Sequence, residues 1–381
     1  MIYLDSASTA LLRPPEVGEA VGEAIRSLAS ASRGSYPAAS DAARLVHDTR
    51  SLLAELFGAA GPECVAFTAN ATAALNIVIK GLLEKGDAVL TTVLEHNSVL
   101  RPLYELEEKG IKTYILAADS QGMPDYGQIE QMLKNKPRIA AVVTTHASNL
   151  TGNLVDLARL GRLCEKYHRL LRVDVSQTAG VFPIHMERQH IDALCFSGHK
   201  WLFGPQGTGG ICVRPGLSIR ALLSGDSRIQ PFERQHPAVM PEHLEAGSLN
   251  VHALAGLRAG LRYIQSVGLD NLRQSELGLA RRFYEMVRNL VGVRIYGNFM
   301  TELRIPIVSL NIQDNPSGLV SDMLSVEYDI CTRPGGHSAP LMHKHFGTER
   351  QGMVRFSFSY FNTMQEVERA VVAVRHMAAR M

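Results

Sequence analysis

Between residues 60 and 215 the chain alternates short apolar runs with stretches of helical periodicity. The apolar runs fall at 64–68, 88–93, 112–116, 139–145, 170–175, 193–196 and 211–213; the helical stretches fall at 72–84, 98–108, 125–134 and 156–168. Short apolar runs separated by helices are the pattern of βα units, which predicts a mostly parallel sheet. Ahead of this region, residues 1–14 read as an extended segment ending at Pro14 and Pro15, and apolar residues from Val17 to Leu28 then recur at helical spacing. The Ala-, Ser- and Gly-rich stretch 29–40 predicts a loop, and a second helix over 41–57 is stopped by Gly58.

Beyond the alternating region, 215–241 is irregular, and 224–243 has few apolar anchors and reads as a mobile loop at a site entrance. Helices are predicted from Val251 through Ile264 and over 271–291. The remainder alternates strands (293–297, 305–312, 328–333, 353–359) with helices (318–326, 364–379). The expected fold class is therefore α/β, with a large domain around a mostly parallel central sheet and a smaller α+β domain. Residues 1–14 are assigned to the small domain, 15–250 to the large one, and 251–381 to a linking helix and the small C-terminal domain.

Composition narrows the class without naming a chemistry. The chain has 381 residues, 46% hydrophobic and 20% charged, with a formal net charge of +2, so nothing calls for nucleic acid or an anionic membrane. No apolar run approaches the ~20 residues of a membrane span, and the start does not resemble a signal peptide, so a cytoplasmic protein is expected. The five cysteines (Cys64, Cys164, Cys195, Cys212, Cys331) are widely spaced and form no CxxC pair. They suggest neither disulfides nor a metal site.

In open parallel sheets ligands bind beyond the carboxyl ends of the strands, so the polar residues that end each apolar run carry the interest. After 64–68 come Asn70, Ala71 and Thr72, opening a helix whose N-terminus suits an anion such as phosphate, or serves as an ordinary cap. After 88–93 comes His96, able to lie on an aromatic ring or to cap the turn. After 139–145 comes Asn149, within reach of a ring substituent. After 170–173 comes Asp174, followed by Ser176 and Gln177. A carboxylate at a buried strand end needs a cation or several donors, and a protonated pyridine nitrogen is such a partner. After 193–196, within SGHKWLFGPQGTGG, Lys200 enters a glycine-lined loop, placed as a Schiff-base lysine or as an ordinary surface one. Taken in order, these residues fit pyridoxal 5′-phosphate (PLP).

The motifs YLDSAST (3–9), ANATAALN (69–76), EHNS (95–98), SNLTG (148–152), VDVSQ (173–177), SGHKWLFGPQGTG (197–209), EAGSLN (245–250), RPGGHSAP (333–340) and VRFSFSYFNT (354–363) resemble the class V aminotransferase family of fold-type I PLP enzymes. Within it they resemble the cysteine desulfurase and selenocysteine lyase group. The resemblance implies that Lys200 holds the cofactor and moves protons, that Asp174 pairs with the ring nitrogen and that His96 stacks on the ring. It places Gln177 and Asn149 near the ring oxygen and the substrate. It makes Ala71, Thr72, Ser197 and His199 the phosphate cradle, with Ser248 reaching in from a partner subunit of a homodimer. Arg355 and Arg333 are implied as substrate-binding, Arg355 gripping the carboxylate, and the glycine-containing loop 333–340 closes over substrate. The implied substrate is L-cysteine or a related amino acid, with a sulfur-acceptor protein as a further partner. One position departs: Ser338 stands where the group carries the cysteine that takes up sulfur, and a serine hydroxyl cannot hold a transferable sulfane sulfur. A β-eliminating C–S or C–Se lyase, an aminotransferase or epimerase, and a non-catalytic scaffold therefore stand beside the desulfurase reading.

Overall fold

A computed structural model describes residues 1–31 and 34–380; residues 32 and 33 of the expected 29–40 loop lie outside the described residues. In chain order the elements are β1 (Ile2–Tyr3), α1 (Pro15–Ser27), α2 (Pro37–Phe57), β2 (Val65–Thr68), α3 (Ala71–Gly81), β3 (Ala88–Thr92), α4 (Asn97–Glu107), β4 (Lys112–Leu116), α5 (Tyr126–Asn135), β5 (Ile139–Thr145), α6 (Leu157–Lys166), β6 (Leu170–Asp174), β7 (Ala193–Ser197) and β8 (Gly209–Val213). There follow α7 (Val251–Val267), α8 (Leu269–Val287), β9 (Val293–Tyr296), β10 (Ile307–Ile312), α9 (Ser317–Tyr328), β11 (Ile330–Cys331), α10 (Pro340–Phe346), β12 (Val354–Ser357) and α11 (Met364–Arg380).

The central sheet has seven strands in the order β2-β8-β7-β6-β5-β3-β4. Every pairing from β7 to β4 is parallel, and only β8 runs against its neighbours β2 and β7. From β3 the chain moves outward to β4, then returns to β5 beside β3 and proceeds the other way through β6 and β7. The reversal leaves a crevice between the carboxyl ends of β3 and β5, the place where such sheets take ligands. Strands β3, β6, β7 and β8 are almost wholly buried and mostly apolar, as expected of a parallel sheet covered on both faces.

Helix α7 packs on α1 and α2 and delivers Leu254, Leu257, Leu261 and Ile264 into the main core. A second core is built from α8, α9, α11 and the antiparallel sheet β9-β10-β12, and it takes in Ile2 and Leu4 from the chain start. Strand β1 pairs in parallel with β11, so the first residues are stitched to the far end of the chain.

Several boundaries differ from the sequence expectation for local reasons. Helix α2 begins at Pro37, inside the expected loop, because proline is tolerated in the first turn and Ala38 and Ala39 then favour helix. The strand expected over 328–333 is only Ile330–Cys331, since α9 runs on to Tyr328 and ends with Asp329 in a left-handed conformation. Helix α10 had no apolar periodicity to announce it, being a single short turn-and-a-half after Pro340.

Candidate active site

Four strand ends and one loop of the second core converge. Asp174 ends β6 and is buried; its Oδ1 accepts from Ser176 N at 2.9 Å and Ser176 Oγ at 2.5 Å. Among the described residues its other oxygen accepts no hydrogen bond. Lys200 follows β7 in a loop closed by backbone bonds from Gly198 N to Thr208 O (2.9 Å) and from Gly204 N to Gly198 O (2.8 Å). A Cβ on Gly198 would lie 2.2 Å from Thr208 Oγ1, so the loop closes this tightly only with glycine there. The Lys200 amine is half-buried and, among the described residues, has neither a hydrogen bond nor an ion pair. Burial pulls its pKa down to about 8 against the opposing field of Asp174, with Arg355 and Arg333 adding to the depression. A lysine in this state is partly neutral near physiological pH and able to act as nucleophile or base.

His96 caps α4: its Nδ1 accepts from Ser98 N at 3.0 Å, which leaves the ring proton on Nε2. Burial first, then the Lys200 cation, lowers its pKa to about 4, so the ring is neutral. Ser98 Oγ lies 2.9 Å from His96 Nδ1 and 2.8 Å from Thr72 Oγ1, linking His96 to the start of α3. There Asn70 caps the helix through Ala73 N, and Ala71 N points at Ser197 Oγ, 3.4 Å away. Strand β8 crosses closely over this turn: a Cβ on Gly209 would meet Asn70 Cα at 2.7 Å. Ala71, Thr72 and Ser197 thus sit together. His199 stands beside Lys200 and is held through its Nδ1 by Thr9 Oγ1 at 3.1 Å.

Arg355, on β12, is 2% exposed. Its NH1 donates to Asn149 O at 2.9 Å, its NH2 donates to Asp5 Oδ1 at 3.0 Å and Ser8 Oγ at 2.7 Å, and its Nε has no partner. Arg333 faces it across a β-bridge and donates to the same Ser8 Oγ at 3.0 Å. Asn149 Nδ2 donates to His337 O at 2.8 Å, and Asn97 N donates to Ser338 O at 2.8 Å. The 333–338 loop is therefore pinned over His96. Gln177 is engaged at both ends, donating from Nε2 to Ala7 O at 3.1 Å and accepting from Trp201 Nε1 at 3.0 Å. Ser248 lies exposed in the segment before α7.

Three residues here carried no role in the sequence reading. Asp5 and Ser8 come from the chain start and meet the arginines only through the fold. Glu95 precedes His96 and is fully buried, accepting from Thr92 Oγ1 at 2.7 Å and Thr145 N at 2.8 Å. Desolvation raises its pKa to about 8. Like Asp174, Glu95 is a carboxyl that follows an apolar run, so its type and position were visible in the sequence.

The family model described as "Aminotransferase class-V" matches residues 2–370. A "Probable cysteine desulfurase" of Methanothermobacter thermautotrophicus is 30% identical over 374 residues, 96% of this chain and 92% of the relative. "Cysteine desulfurase CsdA" of Escherichia coli is 30% identical over 389 residues, 98% of this chain and 93% of the relative. Among solved structures, the apo cysteine desulfurase of Thermococcus onnurineus NA1 superposes with a TM-score of 0.94 at 30% identity, covering 100% of this chain and 95% of that one. A match this long, over a fold with a lysine and a carboxylate at adjacent strand ends, establishes that the chain belongs to the class V aminotransferase family, a family of PLP-dependent enzymes.

Proposed function

We propose that the chain is a PLP-dependent enzyme of cysteine desulfurase type, acting on L-cysteine or a close analogue. The observation that carries this reading is the state of Lys200: its amine has no hydrogen bond or ion pair among the described residues, and it lies in the loop after β7, beside the strand that ends in Asp174, within the fields of Asp174, Arg355 and Arg333. A partly buried amine and a carboxylate with one oxygen left open, at the ends of neighbouring strands, suit a cofactor that offers an aldehyde and a ring nitrogen.

On this reading Ala71, Thr72, Ser197 and His199 hold the phosphate, with Ser248 of a second copy completing the cradle in a homodimer. His96 lies on the ring, Asp174 meets the ring nitrogen, and Asn149 and Gln177 line its oxygen side. When bound, PLP supplies an aldehyde for the amino group and an electron sink for the bonds at Cα. The chain's own residues do the rest. Lys200 Nζ, once neutral, accepts the Cα proton and returns it. Arg355 and Arg333 orient the substrate carboxylate. Neutral His96 presents a flat ring without adding positive charge.

Ser338 decides the outcome for sulfur. Its carbonyl is tied to Asn97, the residue after His96, but a hydroxyl offers no thiolate to receive sulfur. The same observation favours a second reading, β-elimination or transamination at this site, which needs no acceptor cysteine. Product analysis separates them. Desulfuration of L-cysteine leaves alanine and a sulfane sulfur, which an added thiol reductant frees as sulfide; elimination releases pyruvate, ammonia and sulfide; transamination releases a 2-oxo acid. A purified protein that stays colourless with added PLP and turns over no amino acid removes both enzyme readings in favour of a scaffold. In the desulfurase reading a sulfur-acceptor protein takes the released sulfur.

A further inference from the structure

The chain start laces the site together. Leu4 O accepts from Ser357 N at 2.8 Å and Ala7 N donates to Ser357 Oγ at 3.0 Å, which ties the segment to the strand carrying Arg355. Ala7 O holds Gln177 and Thr9 holds His199 on the other side. Between these anchors Ser8 Oγ accepts from both guanidiniums and donates to Asp5 Oδ1 at 2.7 Å. Asp5 is thus a carboxylate built into the seat expected for the substrate carboxylate, on the same Arg355 nitrogen.

The charge balance follows directly. Arg333 and Arg355 contribute two positive charges and Asp5 one negative, leaving a single net positive charge. One α-carboxylate neutralises that seat. A substrate with a second acid on its side chain brings an extra negative charge and meets Asp5. With Asp5 neutral, the second guanidinium would be left for the second acid.

We propose that Asp5 is a specificity-determining residue: by cancelling one arginine, it makes the site select amino acids with one carboxylate over those carrying a second acidic group. This rests on the proposed function, in which Arg355 and Arg333 bind the substrate carboxylate. Ser8 is the positioning residue that keeps the two guanidiniums and Asp5 in one network.

The test measures binding to the PLP-loaded protein by calorimetry, and in parallel by the change in cofactor absorbance, using L-alanine and L-aspartate. Wild type is expected to favour alanine. In Asp5→Asn the preference should move roughly tenfold toward aspartate, and the move should shrink with added salt. Ser8→Ala should weaken both ligands alike. An unchanged alanine-to-aspartate ratio in Asp5→Asn overturns the proposal and reduces Asp5 to a structural clip. If Asp5→Asn does not fold, Arg333→Gln tests the same balance at an exposed position: aspartate should lose more affinity than alanine, and equal losses overturn the proposal. A wild-type holoprotein that binds neither amino acid overturns the proposed function and this inference with it.

Discussion

The carbonyl of Ser338 accepts the N–H of Asn97 at 2.8 Å, so the loop carrying Ser338 is fastened to the first turn of the helix that His96 caps. The fastening is made by backbone, and His337 adds to it through Nε2 on Arg333 O at 3.0 Å and through its own carbonyl on Asn149. Residues 337 and 338 both have left-handed backbone, φ 50° and 54°. Ser338→Cys changes one atom and leaves this scaffold intact. With a thiol reductant present to free the bound sulfane sulfur as sulfide, it is expected to raise alanine and sulfide formation from L-cysteine about tenfold or more, because a thiolate takes up sulfur where a hydroxyl does not. Unchanged release in the variant would mean that position 338 is not the missing acceptor.

Lys200 gives a pH signature. Burial lowers its pKa from 10.5 to about 8, so the neutral amine that captures an aldehyde accumulates as pH passes through about 8. The rate of PLP uptake by the apo protein should climb through that pH and then level off, and Lys200→Ala should show no visible absorbance band that depends on a lysine linkage. The sign for stability agrees. Between about 8 and 10.5 the unfolded lysine holds a proton that the folded one has lost, so apo stability rises with pH there. A rate independent of pH from 7 to 9 would place the amine outside the chemistry, to within about a pH unit.

The sheet was legible because β3, β6, β7 and β8 are short, mostly apolar runs, and the candidate site residues stand at or just beyond their ends. Asp174, Lys200 and His96 could be found by looking past the ends of strands. The arginine side was harder. Asp5 lies 350 residues from Arg355 in the chain, and the pairing of β1 with β11 and the bonds between Ser357 and Leu4 and Ala7 bring them together. Glu95 was hidden by its neighbour: the EHNS motif drew attention to His96, while the buried carboxyl beside it left no periodic signal. The irregular 215–241 stretch was also legible, for want of apolar spacing.

Arg355→Lys tests the carboxylate seat. Lysine keeps the charge but loses the fork that serves Asn149 O, Asp5 and Ser8 at once. The expected result is a rise in KM for L-cysteine of roughly a hundredfold with PLP content unchanged and kcat reduced much less. A loss of bound PLP, or a fall in kcat at constant KM, would move Arg355 from substrate binding to cofactor retention.

Glu95 and Glu276 predict how stability depends on pH. Both are buried carboxyls whose pKa is raised by desolvation to about 8, Glu95 with two hydrogen-bond donors and Glu276 with only Tyr360 N, its Oε2 lacking a partner. In the unfolded chain each ionises near the ordinary 4.5. Folding then takes up a proton wherever pH lies between those values, and the stability of the protonated form is lost as pH rises through about 8. Buried His146 and partly buried His96 and His199 act oppositely but lower, their pKa values falling to about 3, 4 and 4, so their contribution is complete above about 6.5. The window from 6.5 to 8 therefore belongs to the two carboxyls. Tm of the wild-type protein should fall across it, with the loss of unfolding free energy bounded by about 1.4 kcal/mol per pH unit for each group. Glu95→Gln and Glu276→Gln should each make the fall shallower, and the double variant should flatten it. A wild-type Tm that is flat or rising from pH 6.5 to 8 would show that both carboxyls are ionised in the folded protein, and would require cations beside them that the fold does not supply.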